Sequence, residues 1–473
     1  MSRASRSHRY RIESPLPVLD DLRQRRPNKR NRVEEVLRVR GFRSIGILLL
    51  AFWVGIGLPG CHRASDPRPN LVLISIDTLR SDRLGCYGYD RDTTPRLDAL
   101  AARGTRFESV VAPANWTLPS HVTMLTGLSP HTHGVVRPDV SASPRVRFLA
   151  EYLAGAGYGT WAETDGGYVG AAYGFDRGFD HFADDPTPFA DKLARALAQL
   201  DSGSPQFCFI HTYDVHCPYV PSAEFRGLFR SEGSEFVETE GRCGNPHFNG
   251  VSLTAGQVSY LSDRYDEGVR EADHDLGWFC DELHRRGLDE NTIVMIVSDH
   301  GEELGEHGQI GHERTLHREA LLVPWIVFGP GIHPGRVGTT VGLADVTPTI
   351  LDLAGLGPID VAAGRSRRAV LRGTTATVRA HPQFSESSDG CSLVSVVADR
   401  WHLIVDRDGG RWSLFSWDDD RREAQDLATT RPDRVRSLLE CFRKDGPEET
   451  VQALQTALTR EERERLRSLG YVN

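Results

Sequence analysis

The chain has 473 residues, 39% of them hydrophobic and 26% charged, the balance of a globular body with room for one large domain and a smaller one. Its net charge of −9 is unevenly spread: residues 1–43 hold 13 Lys+Arg against 5 Asp+Glu, which leaves −17 for the rest. An acidic body excludes nucleic acid as the main partner, and the basic head reads as a targeting feature.

Behind that head, Ile45 to Leu58 is mostly apolar and closes on Leu58-Pro59-Gly60-Cys61. A basic region, a short apolar run and a small residue before Cys form the pattern of a bacterial lipoprotein signal, although Pro59 is unusual there. The alternative is an ordinary signal or a single membrane anchor, for which the run is short of the roughly 20 residues a span needs. Either way the body is expected outside the cytoplasm, in the periplasm or at a membrane surface, attached through this segment. The chain therefore divides into a basic region (1–44), a signal or anchor (45–61), a polar tether (62–69), a main body (70–380) and a C-terminal subdomain (381–473).

In the body, Asn70 to Asp77 is a β-branched apolar run suited to a buried parallel strand, with Asp77 at its C-terminal end. Pro95 to Gly104 has the start and stop signals of a helix. Asn115 to Gly127 reads as a loop turning into a short helix, with Pro119 in the first turn and Gly127 at the stop. Thr117 stands just ahead of that helix, either as its cap or as a group held near free N–H donors. Helices are predicted over 147–156, 188–200 and 255–286, and strands over 206–213, 291–298 and 324–329. This alternation predicts an α/β fold: a large mixed, mostly parallel sheet sandwiched by helices. From about Pro382, short strands around the Gly409-Gly410 turn and a last helix over 461–469 predict a small α+β subdomain carrying an antiparallel sheet. The eight cysteines show no CxxC spacing, and a pairing such as Cys217–Cys243 is open if the body is exported.

The second long apolar strand, Thr292 to Asp299, also ends on an acid, and His300 follows. Ligands in open α/β sheets bind outside the carboxyl ends of strands, so Asp77 and Asp299 are expected to converge. Two carboxylates packed together repel, and a cation between them resolves this. Oxygen ligands with one imidazole suit one divalent ion: Mg, Ca, Mn or Zn. The loop from His300 to His312 is rich in Gly, Glu and His, and His216 sits on another loop just past a strand.

Taken together, the chain resembles the sulfatase family, within the alkaline phosphatase superfamily. The motifs that carry the resemblance run in order from Ile76-Asp-Thr-Leu-Arg80 and Cys86-Tyr-Gly88 through Thr117-Leu-Pro-Ser-His121 and His131-Thr-His-Gly134. They continue through Ser298-Asp-His-Gly301, Gly305-Glu-His-Gly308, Asp345-Val-Thr-Pro-Thr349 and Ser468-Leu-Gly-Tyr-Val472, covering roughly residues 68–473. The resemblance implies that Asp77, Asp299 and His300 match metal ligands. It implies that Thr117 matches the nucleophile, itself a ligand, and that His216 lies near the ester group.

The departures bear on the chemistry. Sulfatases carry Cys or Ser at the Thr117 position, oxidised to formylglycine, a conversion threonine does not undergo. The family's Arg in that motif is His121 here. Its Lys-x-His element is replaced by Glu163-Thr-Asp-Gly-Gly-Tyr168, and His312 lies nearest the place of a second lysine. The resemblance thus implies a metal-dependent hydrolase of sulfate or phosphate esters of small molecules, glycans or lipids, with Thr117, His216 and His312 as the catalytic groups. Phosphoester cleavage is favoured, because threonine is the native nucleophile in phosphate-cleaving relatives. The alternatives are a phospho-headgroup transferase at the membrane surface, and a binding protein that kept the fold without the chemistry.

Overall fold

A computed structural model describes residues 68–469 apart from 201–202, 238–252, 358–362, 375–377, 379, 388–391 and 446–451. The basic region and the signal or anchor segment lie outside the described residues, as do most of the tether and Cys243. Among the described residues no helix is long and apolar enough to cross a membrane.

The large sheet has nine strands: β1 (Asn70–Ile76), β2 (Thr105–Val111), β3 (Gly159–Glu163), β4 (His181–Ala183), β5 (Gln206–Thr212), β6 (Thr292–Val297), β7 (Leu322–Phe328), β8 (Gly335–Val337) and β9 (Val341–Gly342). Their order is β8-β2-β7-β6-β1-β5-β3-β4, with β9 also on β2. β1 lies at the centre and pairs in parallel with β5 and β6. β7 runs antiparallel to both β2 and β6, so the sheet is mixed but mostly parallel. Short strands such as β2, β3 and β4 escape the sequence reading because each is too brief, or too interrupted by polar residues, to show a period.

Alternation along β1 sends Leu71 and Leu73 into one buried cluster and Val72, Ile74 and Ile76 into another, so both faces of the sheet are covered. The first face carries α2 (Thr117–Thr126) and α3 (Leu149–Gly155); the second carries α1 (Pro95–Ala101), α4 (Phe189–Leu200) and the 31-residue α5 (Ala255–Arg285). Thr254 and Gln257 close a capping box at the start of α5, satisfying donors that the helix end leaves free. A further helix, α6 (Val346–Leu353), packs beside α2.

The C-terminal sheet is a meander of β10 (Gln383–Glu386), β11 (Leu393–Ala398), β12 (Trp401–Asp406) and β13 (Arg411–Ser416). It packs on α7 (Pro432–Asp445) around its own core of Val396, Leu403, Leu414, Val435 and Leu438. The last described helix, α8 (Arg460–Ser468), falls where the sequence places it.

Candidate active site

The site is built at the carboxyl edge of the central strands. Ser75 of β1 pairs with Val297 of β6, so Asp77 and Asp299 leave adjacent parallel strands at the same edge. Thr78 follows Asp77 with a φ of 56°, a left-handed conformation that costs a β-branched residue about 1–3 kcal/mol. That turn aims its N–H at Asp299 Oδ1, 3.4 Å away, and its carbonyl accepts the Tyr265 hydroxyl at 2.8 Å.

Thr117 is the first residue of α2, and Trp116 occupies the N-cap without a capping side chain. The capping role is therefore not the one this threonine takes. Its hydroxyl donates to Asp77 Oδ2 at 3.3 Å and lies 3.3 Å from His300 Nε2. Gly127 ends α2 at a φ of 73°, the left-handed stop that its position predicts.

His300 is oriented by its own backbone neighbour. Nδ1–H donates to the Gly301 carbonyl at 2.9 Å, which turns the Nε2 lone pair inward, 3.3 Å from Asp299 Oδ2 and 3.8 Å from Asp77 Oδ1. A carbonyl partner on the second ring nitrogen is how metal-binding imidazoles are commonly fixed. Asp77 Oδ1 and Asp299 Oδ2 are fully buried and have no hydrogen-bond partner. Burial and the charge of Asp299 push the Asp77 carboxyl well above the usual carboxylate range. Two buried acids with orphaned oxygens and one inward-facing imidazole fit a divalent cation. Asp77, Asp299 and His300 bring ligand atoms within 4.8 Å of one another.

Two further histidines complete the cluster, and sequence reasoning did not place either among the metal-site residues. His211, near the end of β5, has Nε2 3.3 Å from Asp77 Oδ2. His121, one turn into α2, has Nδ1 3.0 Å from the Thr117 carbonyl and 3.3 Å from Asp299 Oδ2. Its Nε2 meets Ser75 Oγ at 3.0 Å. Asp77, His121 and His211 form a second compact ligand set. Burial, His121 and Lys192 all push the His211 imidazole well below its usual range, so it stays neutral. The available signal was a histidine in the apolar run of β5, which pairs with Ser75 just before Asp77.

His216 and His312 meet beside this cluster, Nε2 to Nε2 at 3.1 Å. The Cys217 carbonyl accepts His216 Nδ1–H, so the Nε2 lone pair of the neutral His216 ring faces His312 Nε2. His312 in turn lies against His300, ring centroids 4.6 Å apart. Burial holds His216 down to about 4 and His312 well below its usual range. Cys217 is disulfide-bonded. Lys192 is fully buried, but its ammonium is committed to Asp165 Oδ1 at 2.6 Å and the His211 carbonyl at 2.8 Å.

The sequence profile described as Sulfatase matches residues 69–356, more than half of the chain. The chain belongs to the sulfatase family. An arylsulfatase of Clostridium perfringens is 23% identical over 464 residues, spanning 79% of this chain and 94% of that one. An N-acetylgalactosamine-6-sulfatase of Rattus norvegicus is 26% identical, spanning 63% of this chain; the match takes in 64% of that longer relative. The solved structure of a phosphonate monoester hydrolase of Agrobacterium radiobacter shares the fold, with a TM-score of 0.64, 20% identity and coverage of 80% of this chain and 96% of that one. This sulfatase-family hydrolase thus has the family's mixed sheet, its separate antiparallel C-terminal sheet and a candidate metal centre.

Proposed function

We propose that this chain is a metal-dependent ester hydrolase in which Thr117 is the nucleophile, with phosphate esters of small molecules or glycans favoured over sulfate esters. The carrying observation is the placement of Thr117 Oγ1, 3.3 Å from both Asp77 Oδ2 and His300 Nε2, at the first turn of a ten-residue helix. In this reading Asp77, Asp299 and His300 hold the ion together with Thr117, and the catalytic domain is 70–380 with a C-terminal subdomain 381–473. A divalent ion held there supplies Lewis acidity and offsets the two buried negative charges.

This chain's own groups account for the remaining steps. Asp77 Oδ2 accepts the Thr117 proton, and Oγ1 attacks phosphorus in line. The bond from Oγ1 to phosphorus forms as the bond from phosphorus to the leaving oxygen breaks. The free N–H groups of α2 and the positive end of its dipole lie beside the non-bridging oxygens. The His216–His312 pair is neutral before substrate arrives. An anionic ester beside it raises its proton affinity, so His312 is the group to protonate the leaving oxygen. Water then attacks phosphorus, the bond from phosphorus to Oγ1 breaks, phosphate leaves, and Asp77 returns its proton to Oγ1. A sulfothreonine lacks the second hydroxyl through which a formylglycine hydrate expels sulfate by collapsing to aldehyde, so sulfate turnover stalls at the covalent stage.

A turnover panel on the purified chain tests this, using p-nitrophenyl phosphate, a bis-p-nitrophenyl phosphodiester and p-nitrophenyl sulfate with Mn, Ca, Mg or Zn. Faster phosphoester than sulfate turnover is expected, with Thr117→Ala reducing kcat/KM at least about a thousandfold. Turnover that survives Thr117→Ala overturns the nucleophile assignment. Equal or faster sulfate turnover overturns the phosphate preference.

A further inference from the structure

A second group of ligand-type side chains lies outside the site described above. The loop after His300 forms a small hairpin in which Glu303–Leu304 pairs with Ile310–Gly311. Its tip is a tight turn, with Gly308 N–H donating to the Gly305 carbonyl at 3.1 Å. Both glycines have positive φ, 101° and 75°, which a side chain would resist. The turn holds His307 over Glu303 of its own hairpin and over Glu319 of the next segment. The His307 ring also stacks on His317, centroids 3.7 Å apart and nearly parallel.

The hydrogen bonds around His307 leave one ring nitrogen facing two carboxylates. Nε2–H donates to the Arg422 carbonyl at 3.1 Å. In the neutral ring the Nδ1 lone pair then faces Glu303 Oε1 at 3.6 Å and Glu319 Oε2 at 3.5 Å. Glu303 is completely buried, and neither of its carboxylate oxygens has a hydrogen-bond partner; Glu319 Oε2 and His307 Nδ1 have none either. Three sets of lone pairs are turned toward one point. The nearby Arg80 guanidinium is occupied by Asp82, Glu306 and the Glu302 carbonyl.

The spacing is informative. A charge-assisted hydrogen bond from an imidazolium would draw nitrogen and oxygen to about 2.7–2.9 Å. Ligands of a tetrahedral zinc, bonded at about 2.0–2.1 Å, stand about 3.3 Å apart. The observed 3.5 and 3.6 Å lie nearer the second value, and all three ligand atoms fall within 4.8 Å of one another. We propose that Glu303, His307 and Glu319 form a second divalent-metal site, distinct in all its ligands from the Asp77–Asp299 centre, that takes zinc. The Arg422 carbonyl is the outer partner that fixes the imidazole. The bound ion ties the hairpin that delivers His312 to the segment of the C-terminal subdomain carrying Arg422 and Glu423.

The test is metal content in the full chain, stripped with chelator, reloaded with zinc and desalted. His307→Ala and Glu303→Gln, checked for folding by circular dichroism, are each expected to hold one zinc per chain fewer than wild type. Folded variants that hold as many zinc ions as wild type overturn the proposal. A measurement on wild type alone guards against misfolding: exchange of the His307 ring C2 hydrogen, followed by mass spectrometry with and without zinc. It is expected to slow several-fold on zinc addition. Unchanged exchange means the group between the carboxylates is a proton, and overturns the site.

Discussion

At the scale of single residues, the protonation states around α2 are set by which ring nitrogen already has a partner. His133 makes the point away from the catalytic groups. It is fully buried, accepts the Val135 N–H on Nδ1 at 3.0 Å, and meets Thr123 Oγ1 through Nε2 at 3.1 Å. A proton on Nδ1 would break the first bond, and burial holds the imidazole down to about 3. The folded value lies below the unfolded one, so this contribution is full above pH ~6.5 and is lost as pH falls toward 3. Wild type is therefore expected to lose about 2 kcal/mol through this residue between pH 7 and pH 5. Urea unfolding of His133→Gln at the two pH values should show a loss smaller by that amount. For Thr117, the serine variant keeps the hydroxyl within reach of Asp77 and should retain activity within about tenfold, whereas alanine removes the proposed attacking atom. Asp77 and Asp299 were legible in the sequence because each terminates an apolar strand. His211 was not, because a histidine inside such a strand looks like any other buried side chain until its neighbours are known.

At the scale of elements, α2 holds Thr117, the proposed nucleophile, steady only as well as its supports allow. One support is the turn before α6. Asp345 accepts Arg367 Nη2 at 2.6 Å, Nε at 2.9 Å and the Arg365 N–H at 2.6 Å. Thr347 Oγ1 donates to the Met124 carbonyl in the last turn of α2 at 2.7 Å. Asp345 is wholly buried and Arg367 nearly so. Removing the acid leaves a buried guanidinium without its counter-charge, which costs about 3–5 kcal/mol. Asp345→Ala is thus expected to lower the urea midpoint by that equivalent and to lower kcat more than Thr347→Val does. If Asp345→Ala unfolds at the wild-type midpoint, the Asp345–Arg367 pair is not a support. Strands β1 and β6 could be read from the sequence because each is a long apolar run closing on an acid, and α2 because Pro119 and Gly127 mark its start and stop. The antiparallel direction of β7 could not, since pairing direction depends on the partner strands and not on the run itself.

At the scale of the whole molecule, the carboxyl edge of the sheet concentrates like charges that the fold alone does not neutralise. Asp77 and Asp299 are both completely buried on adjacent strands, and the histidines beside them meet the site with lone pairs or ordinary hydrogen bonds. A counter-ion relieves this repulsion, and binding to the folded state alone adds about 2.7 kcal/mol at one hundred times the dissociation constant. The consequence is an inverted order of stabilities. With ion present, Asp299→Asn loses a ligand and should melt below wild type. With the ion stripped by chelator, the same substitution removes the buried charge that pushes the Asp77 carboxyl up, so the variant should melt at or above stripped wild type. Melting curves of both proteins, each with and without added ion, measure the crossing directly. The zinc proposed at Glu303, His307 and Glu319 is common to both and drops out of the comparison. If stripped Asp299→Asn melts below stripped wild type, the acid pair does not impose the strain that an ion at this edge is there to relieve.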